Sequence, residues 1–148
     1  MKNLDVPHTD EICRVAQIYI GQNREPWIIG RIDTPLKSYQ LLERILTERN
    51  LPIQKIPIKS GEVEVMVPSL EGPNTEYTIV GLGSCVKISG KYHFLGEFNS
   101  ESLVYWNVGV DENHLKAFQQ LNPEFKYEIH REATARPQPR RIPTIEAQ

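Results

Sequence analysis

One strong helical pattern, at residues 35–49, stands among short strand-like segments and restricts this chain to a fold that mixes helices with a sheet. Its apolar side chains recur at the spacing of a single helix face: Leu36, Tyr39, Leu42, Ile45 and Leu46. Thr34 is a suitable N-cap and Pro35 fits the first helical position. Pro52 cannot continue the hydrogen-bond ladder, so the helix should end before it.

Two further segments favour helix. Residues 112–121 follow Asp111, which can cap a helix, and they precede Asn122-Pro123, which can stop one. Residues 11–20 fit both a helix that ends at Gly21 and a strand, and the spacing of their apolar residues favours helix slightly. The chain should therefore contain two or three helices.

The other apolar segments are short and bounded by Gly, Pro, Asn or Asp, which is typical of strands. They predict strands at residues 27–32, 53–58, 62–67, 76–80, 86–88, 92–95, 103–108 and 125–129. A three-residue turn at Ser89-Gly90-Lys91 would join two of these strands as a hairpin. That register would place the following apolar residues on one face, with Lys87 and His93 on the other: Val86, Ile88, Tyr92 and Phe94.

These elements predict an α+β fold, a mostly antiparallel sheet with two or three helices packed on one face. A split βαβ arrangement with an inserted hairpin is one topology that fits their order. Residues 1–10 should be a flexible N-terminus and residues 11–130 a single α+β domain. Residues 131–148 combine three prolines with almost no apolar mass, which predicts a flexible, disordered Pro/Arg-rich tail.

Composition narrows the class of protein. No apolar run approaches the roughly 18 residues of a membrane-spanning helix, and residues 1–10 do not resemble a secretory signal. Two cysteines far apart in sequence favour reduced thiols, so we expect a soluble, cytoplasmic protein. Residues 131–148 carry four Arg against two Glu, a balance of +2, which leaves −4 for the rest of a chain whose total is −2. An acidic body makes nucleic acid an unfavourable partner.

The segment Gly81-Leu82-Gly83-Ser84-Cys85 follows one predicted strand and leads into another. Glycines there could bring backbone amides near a ligand, and the thiol could act as a nucleophile. Residues 81–86, Gly-Leu-Gly-Ser-Cys-Val, are similar to the segment around the cysteine of the CheD family of chemoreceptor deamidases. That resemblance implies Cys85 as nucleophile with His93 as its base. The alternative is a tight connection between strands that holds a buried, inert cysteine.

Histidine and cysteine spacing does not predict a metal site. The four histidines are His8, His93, His114 and His130, and no two of them lie three or four residues apart. His114 falls in the first turn of a predicted helix, where solvent exposure is expected. No cofactor loop is present either, since Gly81-Leu82-Gly83 is followed by a strand rather than a helix. We therefore expect neither a metal nor a cofactor.

The C-terminal segment and one aromatic residue are the candidate binding residues. Pro137 and Pro139 would preorganise an extended peptide whose arginines make charge-assisted contacts. The proposed binding residues are Arg136, Pro137, Pro139, Arg140, Arg141 and, if exposed, Trp106. A protein partner with an acidic surface would fit them.

The sequence thus favours a small non-enzymatic interaction module, an adaptor, accessory subunit or regulator whose tail docks on a partner. Two alternatives remain open at this point. One is a cysteine-dependent amidohydrolase or deamidase that uses Cys85 and His93. The other is a weak nucleic-acid binder that uses the basic tail.

Overall fold

The computed structural model describes residues 1–32, 38–60, 62–96 and 108–130. Within these ranges the chain forms eight strands, two α-helices and a short 3₁₀ helix at Pro73–Thr75, and no helix among them is long and apolar enough to cross a membrane. The strands are β1 (Leu4–Asp5), β2 (Cys13–Ile20), β3 (Glu25–Arg31), β4 (Lys55–Ser60), β5 (Val63–Pro68), β6 (Tyr77–Ile88), β7 (Lys91–Gly96) and β8 (Tyr127–His130). The helices are α1 (Ser38–Glu48) and α2 (Glu112–Leu121).

Six strands form one sheet in the order β1-β3-β2-β6-β7-β8. Its interior pairings are antiparallel, whereas β1 pairs with β3 and β7 pairs with β8 in parallel. This confirms a mixed α+β fold dominated by its sheet. Strands β4 and β5 pair with each other as a separate two-stranded sheet. The split βαβ topology is therefore wrong, because the strand that follows α1 does not return to the sheet that contains β3.

The two helices cover opposite faces of β2 and β3, so the expected packing on one face is also wrong. Side chains alternate along a strand, and Ala16 and Ile29 point to one side while Val15 and Ile28 point to the other. The α1 core, on the first side, contains Ala16, Ile18, Ile29, Leu41, Leu42, Ile45, Leu46, Val67, Tyr77, Ile79 and Leu82. The α2 core, on the second side, contains Cys13, Val15, Ile28, Cys85, Tyr92, Phe94, Leu115, Phe118 and Phe125.

Both helices predicted from strong periodicity are present. In α1 the apolar face of Leu42, Ile45 and Leu46 is buried, and Asn50 follows it in the left-handed conformation at φ 56°. The predicted start at Thr34 and Pro35 lies outside the described residues. Helix α2 has the predicted bounds, and its cap Asp111 accepts a hydrogen bond from the His114 backbone N–H at 2.9 Å.

Strand β2 replaces the helix that residues 11–20 favoured. Its central residues are buried on both faces, because the strand lies between the α1 core and the α2 core. A strand buried on both sides is apolar throughout and loses the strict alternation that marks a half-buried strand. The apolar residues of such a strand can also match helical spacing, which explains the error.

Strand β6 runs without a break through the segment that was expected to connect two strands. Gly81 and Gly83 allow close packing there: a Cβ on Gly81 would collide with the Gln17 side chain. A Cβ on Gly83 would lie 2.5 Å from the Leu95 carbonyl oxygen. The two glycines therefore serve sheet packing rather than a turn.

The turn between β6 and β7 has two residues, not three. Ser89 and Gly90 adopt positive φ of 51° and 81°, as a type I′ turn requires. Val86 consequently pairs with His93, and Lys87 pairs with Tyr92. The predicted register is wrong because it assumed that Val86 and Ile88 share the buried face, whereas Ile88 is 54% exposed.

The N-terminal segment, expected to be flexible, forms part of the fold. Strand β1 pairs with β3, and the side chain of Asn122 bonds both backbone groups of Lys2. Arg49 contacts the Asp5 carboxylate at 2.6 Å. Burial alone would raise the pKa of Asp5, but its bonds to Arg31 and Arg49 hold that pKa below the usual value.

Candidate functional site

The structure does not bring Cys85 and His93 together. Cys85 pairs across the ladder with Phe94, whereas His93 pairs with Val86. Paired residues share a face of the sheet and successive residues alternate, so the two side chains project from opposite faces. The imidazole of His93 cannot take a proton from that thiol. The proposed catalytic pair is therefore wrong.

The surroundings of Cys85 also oppose a nucleophilic role. Its side chain lies in the α2 core and is 3% exposed. Burial raises the pKa of the Cys85 thiol, and the neighbouring Cys13 raises it further. A reactive cysteine needs the opposite shift, toward the thiolate at neutral pH. Cys85 is the buried, protonated thiol that the alternative interpretation predicted.

Cys13 and Cys85 are direct cross-strand partners on β2 and β6, and both are free thiols. Burial raises the pKa of Cys13 to about 11. Both residues line an open cavity of about 720 Å³ between the N-terminal segment and the β6–β7 turn. The two cysteines lie far apart in the sequence, and only the register of β2 with β6 shows that they are cross-strand neighbours.

A second cluster, here called the histidine cluster, consists of His93, Glu128 and His130. Parallel pairing aligns His93 on β7 with Glu128 on β8, and His130 lies two residues farther along the same face. His93 Nδ1 lies 2.9 Å from His130 Nε2. One ligand atom from each of the three residues falls within 4.8 Å of the other two.

An ion pair at the edge of the histidine cluster keeps Glu128 ionised. Lys91 Nζ donates to Glu128 Oε1 at 3.2 Å. That hydrogen bond, with the lysine charge, holds the pKa of Glu128 below its usual value. Glu128 is thus a carboxylate, and its second oxygen, Oε2, lies 3.9 Å from His130 Nε2. Two imidazoles and one carboxylate are donors that divalent transition metals accept.

A spacing of three or four residues, which is helical spacing, does not reveal this cluster. On a strand the corresponding signal is a spacing of two residues. Glu128 and His130, on either side of Ile129, have that spacing. The third member, His93, lies 37 positions from His130. Only the parallel pairing of β7 with β8 could reveal it.

His114 is buried rather than solvated. Its Nε2 lies 3.3 Å from the Ile18 carbonyl oxygen, and its Nδ1 lies 3.2 Å from Gln17 Nε2. The Gln17 amide also donates to the Asp111 carbonyl and accepts from the Asp111 N–H, each at 2.8 Å. The polar side-chain atoms of His114 and Gln17 therefore all have hydrogen-bond partners, and these bonds connect the start of α2 to β2.

The β4–β5 hairpin carries an exposed apolar surface on its outward face, here called the hairpin patch: Pro57 and Met66. Met66 is 52% exposed, whereas Val63, which is 61% exposed, lies on the opposite face of β5 with Val65. Pro57 is exposed and pairs directly with Met66 across the ladder. Lys59, which is also exposed, lies two residues after Pro57 on β4.

The binding residues predicted from sequence lie outside the described residues: Trp106, Arg136, Pro137, Pro139, Arg140 and Arg141. The other tryptophan, Trp27, packs partly buried against the α1 core, with the Arg49 guanidinium 4.1 Å from its ring centroid. Comparison with family models, curated proteins and solved structures finds no match to this chain.

Proposed function

We propose that this chain is a protein–protein interaction module without catalytic activity, an adaptor or regulator that uses the hairpin patch and the arginine-rich tail together. The observation that carries the proposal is the hairpin patch itself. The two strands of the hairpin pair only with each other among the described residues, and their outward face exposes Pro57 and Met66.

The exposed side chains have the chemistry of a docking surface. Methionine is flexible and polarizable, so it adapts to a partner's apolar groove. The inner side of the same hairpin packs on the α1 core through Ile56, Ile58 and Val65. The patch is thus presented on a supported element, and less ordering entropy is lost when a partner binds.

Charge suggests the kind of partner. Lys59 lies beside the patch but pairs across the ladder with exposed Glu64. The positive charge therefore comes from Arg136, Arg140 and Arg141 in the tail. We infer a protein with an apolar groove bordered by acidic residues, because opposite charges raise the association rate and fix the orientation of the complex. A partner of this kind should bind more weakly as ionic strength rises.

Affinity purification of the full chain followed by mass spectrometry, with nuclease present, tests this proposal. Met66→Lys should remove the partner that the wild-type chain captures, since it places a charge in the apolar contact. Ile88→Lys is the matched control, because Ile88 is 54% exposed but lies on β6, away from the patch.

The tail is tested in the same experiment by replacing Arg136, Arg140 and Arg141 with Ala, with Gln138→Ala as control. The proposal requires one protein that both controls retain and that both test variants lose. Equal capture by all variants, or capture that nuclease abolishes, would contradict it. The latter result would favour nucleic-acid binding through the tail.

A further inference from the structure

We propose that the histidine cluster, His93, Glu128 and His130, binds a divalent transition metal of the zinc class. The three side chains come from two adjacent strands and lie on one face of the sheet. Their ligand atoms lie within 4.8 Å of one another. This site is separate from the hairpin patch and does not depend on the proposed function.

The ligand atoms lie within 4.8 Å of one another, so they can share an ion after side-chain movements of at most about 1.5 Å. Around a tetrahedral zinc with bonds of about 2.0–2.1 Å, ligand atoms lie roughly 3.3 Å apart. His93 Nδ1 and His130 Nε2 are 2.9 Å apart, so the rings need to separate by about half an ångström. Glu128 Oε2 is 3.9 Å from His130 Nε2 and needs to approach by a similar amount.

The donor set selects the metal. Two imidazole nitrogens and one carboxylate oxygen suit zinc and its neighbours, whereas calcium and magnesium prefer oxygen ligands. Three protein ligands leave a fourth tetrahedral position for water. Glu128 is exposed and both histidines are only half-buried, so water and ion can reach the site.

The surrounding structure fixes the ligands before the ion arrives. His93 and Glu128 are direct partners in the β7–β8 ladder, which holds their Cα atoms in register. Lys91 holds Glu128 Oε1 at 3.2 Å and leaves Oε2 on the side of His130. An outer hydrogen bond of this kind orients a metal-binding carboxylate.

Metal binding must replace the contact between the two imidazoles. At 2.9 Å, one ring nitrogen donates its proton to the other. An ion needs the lone pair of both His93 Nδ1 and His130 Nε2, so the donor ring must carry its proton on its other nitrogen. The ion would then join β7 to β8 directly before Arg131, where the C-terminal segment begins.

Titration of the full-length chain with Zn²⁺, in competition with a chromophoric chelator, tests the site. We expect one ion per chain. His93→Ala, His130→Ala and Glu128→Gln should each weaken binding by at least about tenfold, since losing even an outer partner of a metal ligand costs roughly 10–100-fold. His8→Ala and Glu124→Gln, which alter exposed residues of the same types elsewhere, should bind as wild type.

Two further readouts make the result decisive. Co²⁺ should give the visible spectrum of a four-coordinate nitrogen and oxygen site, without the thiolate-to-cobalt band that binding at Cys13 and Cys85 would produce. Zn²⁺ should raise the melting temperature of the wild-type chain and of His8→Ala but not of His130→Ala. Absence of stoichiometric binding, a thiolate band, or equal affinity in the histidine variants and the controls would overturn the proposal.

Discussion

His114 shows how the neighbours of one residue decide its protonation state. Burial lowers the pKa of His114 to about 4 and outweighs the opposing effects of the Ile18 carbonyl and Asp111. The geometry agrees, because Nε2–H donates to the Ile18 carbonyl while Nδ1 accepts from the Gln17 amide. A second proton on Nδ1 would face the Gln17 N–H and break this arrangement. The folded chain therefore keeps His114 neutral.

Stability should fall as pH decreases from 7 to 5 because of His114. In the unfolded chain its pKa is near 6.5, so acid protonates the unfolded state first, whereas the folded state resists until about pH 4. The stabilisation from neutral His114 is complete above pH 6.5 and is lost as the pH falls from 6.5 to about 4. We expect the free energy of unfolding to drop by about 2 kcal/mol between pH 7 and pH 5. Urea denaturation at each pH measures it.

His114→Gln is the control, because glutamine does not titrate. The variant should be less stable at pH 7 but should lose much less stability between pH 7 and pH 5 than the wild-type chain. Asp5 and Glu48 have lowered pKa values and titrate below this window. An equal pH dependence in both chains would show that His114 is not the group responsible.

At the level of elements, the β6–β7 turn sets the register of half the sheet. Ser89 and Gly90 both have positive φ, and nothing lies within 4 Å of a Cβ built on Gly90. Glycine is therefore required at position 90 only for its backbone conformation. This register places the side chains of Cys85 and His93 on opposite faces of the sheet, and it places His93 beside Glu128.

Gly90→Ala should lower the free energy of unfolding by about 1 kcal/mol, because an L-residue pays for a left-handed conformation that glycine adopts freely. Ser89→Asn should be neutral or stabilising, since asparagine favours the first position of a type I′ turn. Chemical denaturation of both variants measures these changes. If Gly90→Ala were as stable as wild type, the two-residue turn would be wrong.

The elements themselves were largely predictable, since local patterns specify them. Helix α2 was predicted with its bounds and cap, and α1 with its buried face. Strand β2 was not, because burial on both faces removes the alternation that identifies a strand. The histidine cluster was not predictable either, because it needs the pairing of β7 with β8, which are joined through a long intervening segment.

At the scale of the whole molecule, β2 and β3 are shared by two cores. The α1 core packs on Ala16 and Ile29, and the α2 core packs on Val15 and Ile28, their neighbours on the opposite face. No local pattern contains this division, because it depends on which helix returns to which side of the sheet. Neither core can lose its strands without exposing the other, which predicts a single cooperative unfolding unit.

Truncation of either core should therefore weaken both helices. Leu42 in α1 and Phe118 in α2 are fully buried. Leu42→Ala should cost about 2–5 kcal/mol and Phe118→Ala about 3–5 kcal/mol in free energy of unfolding. Native-state hydrogen exchange should show the loss in the protected amides of both helices in each variant, because global unfolding exposes them together. If Leu42→Ala left the protection of α2 unchanged, the two faces would be separate folding units, and the shared strands would not couple them.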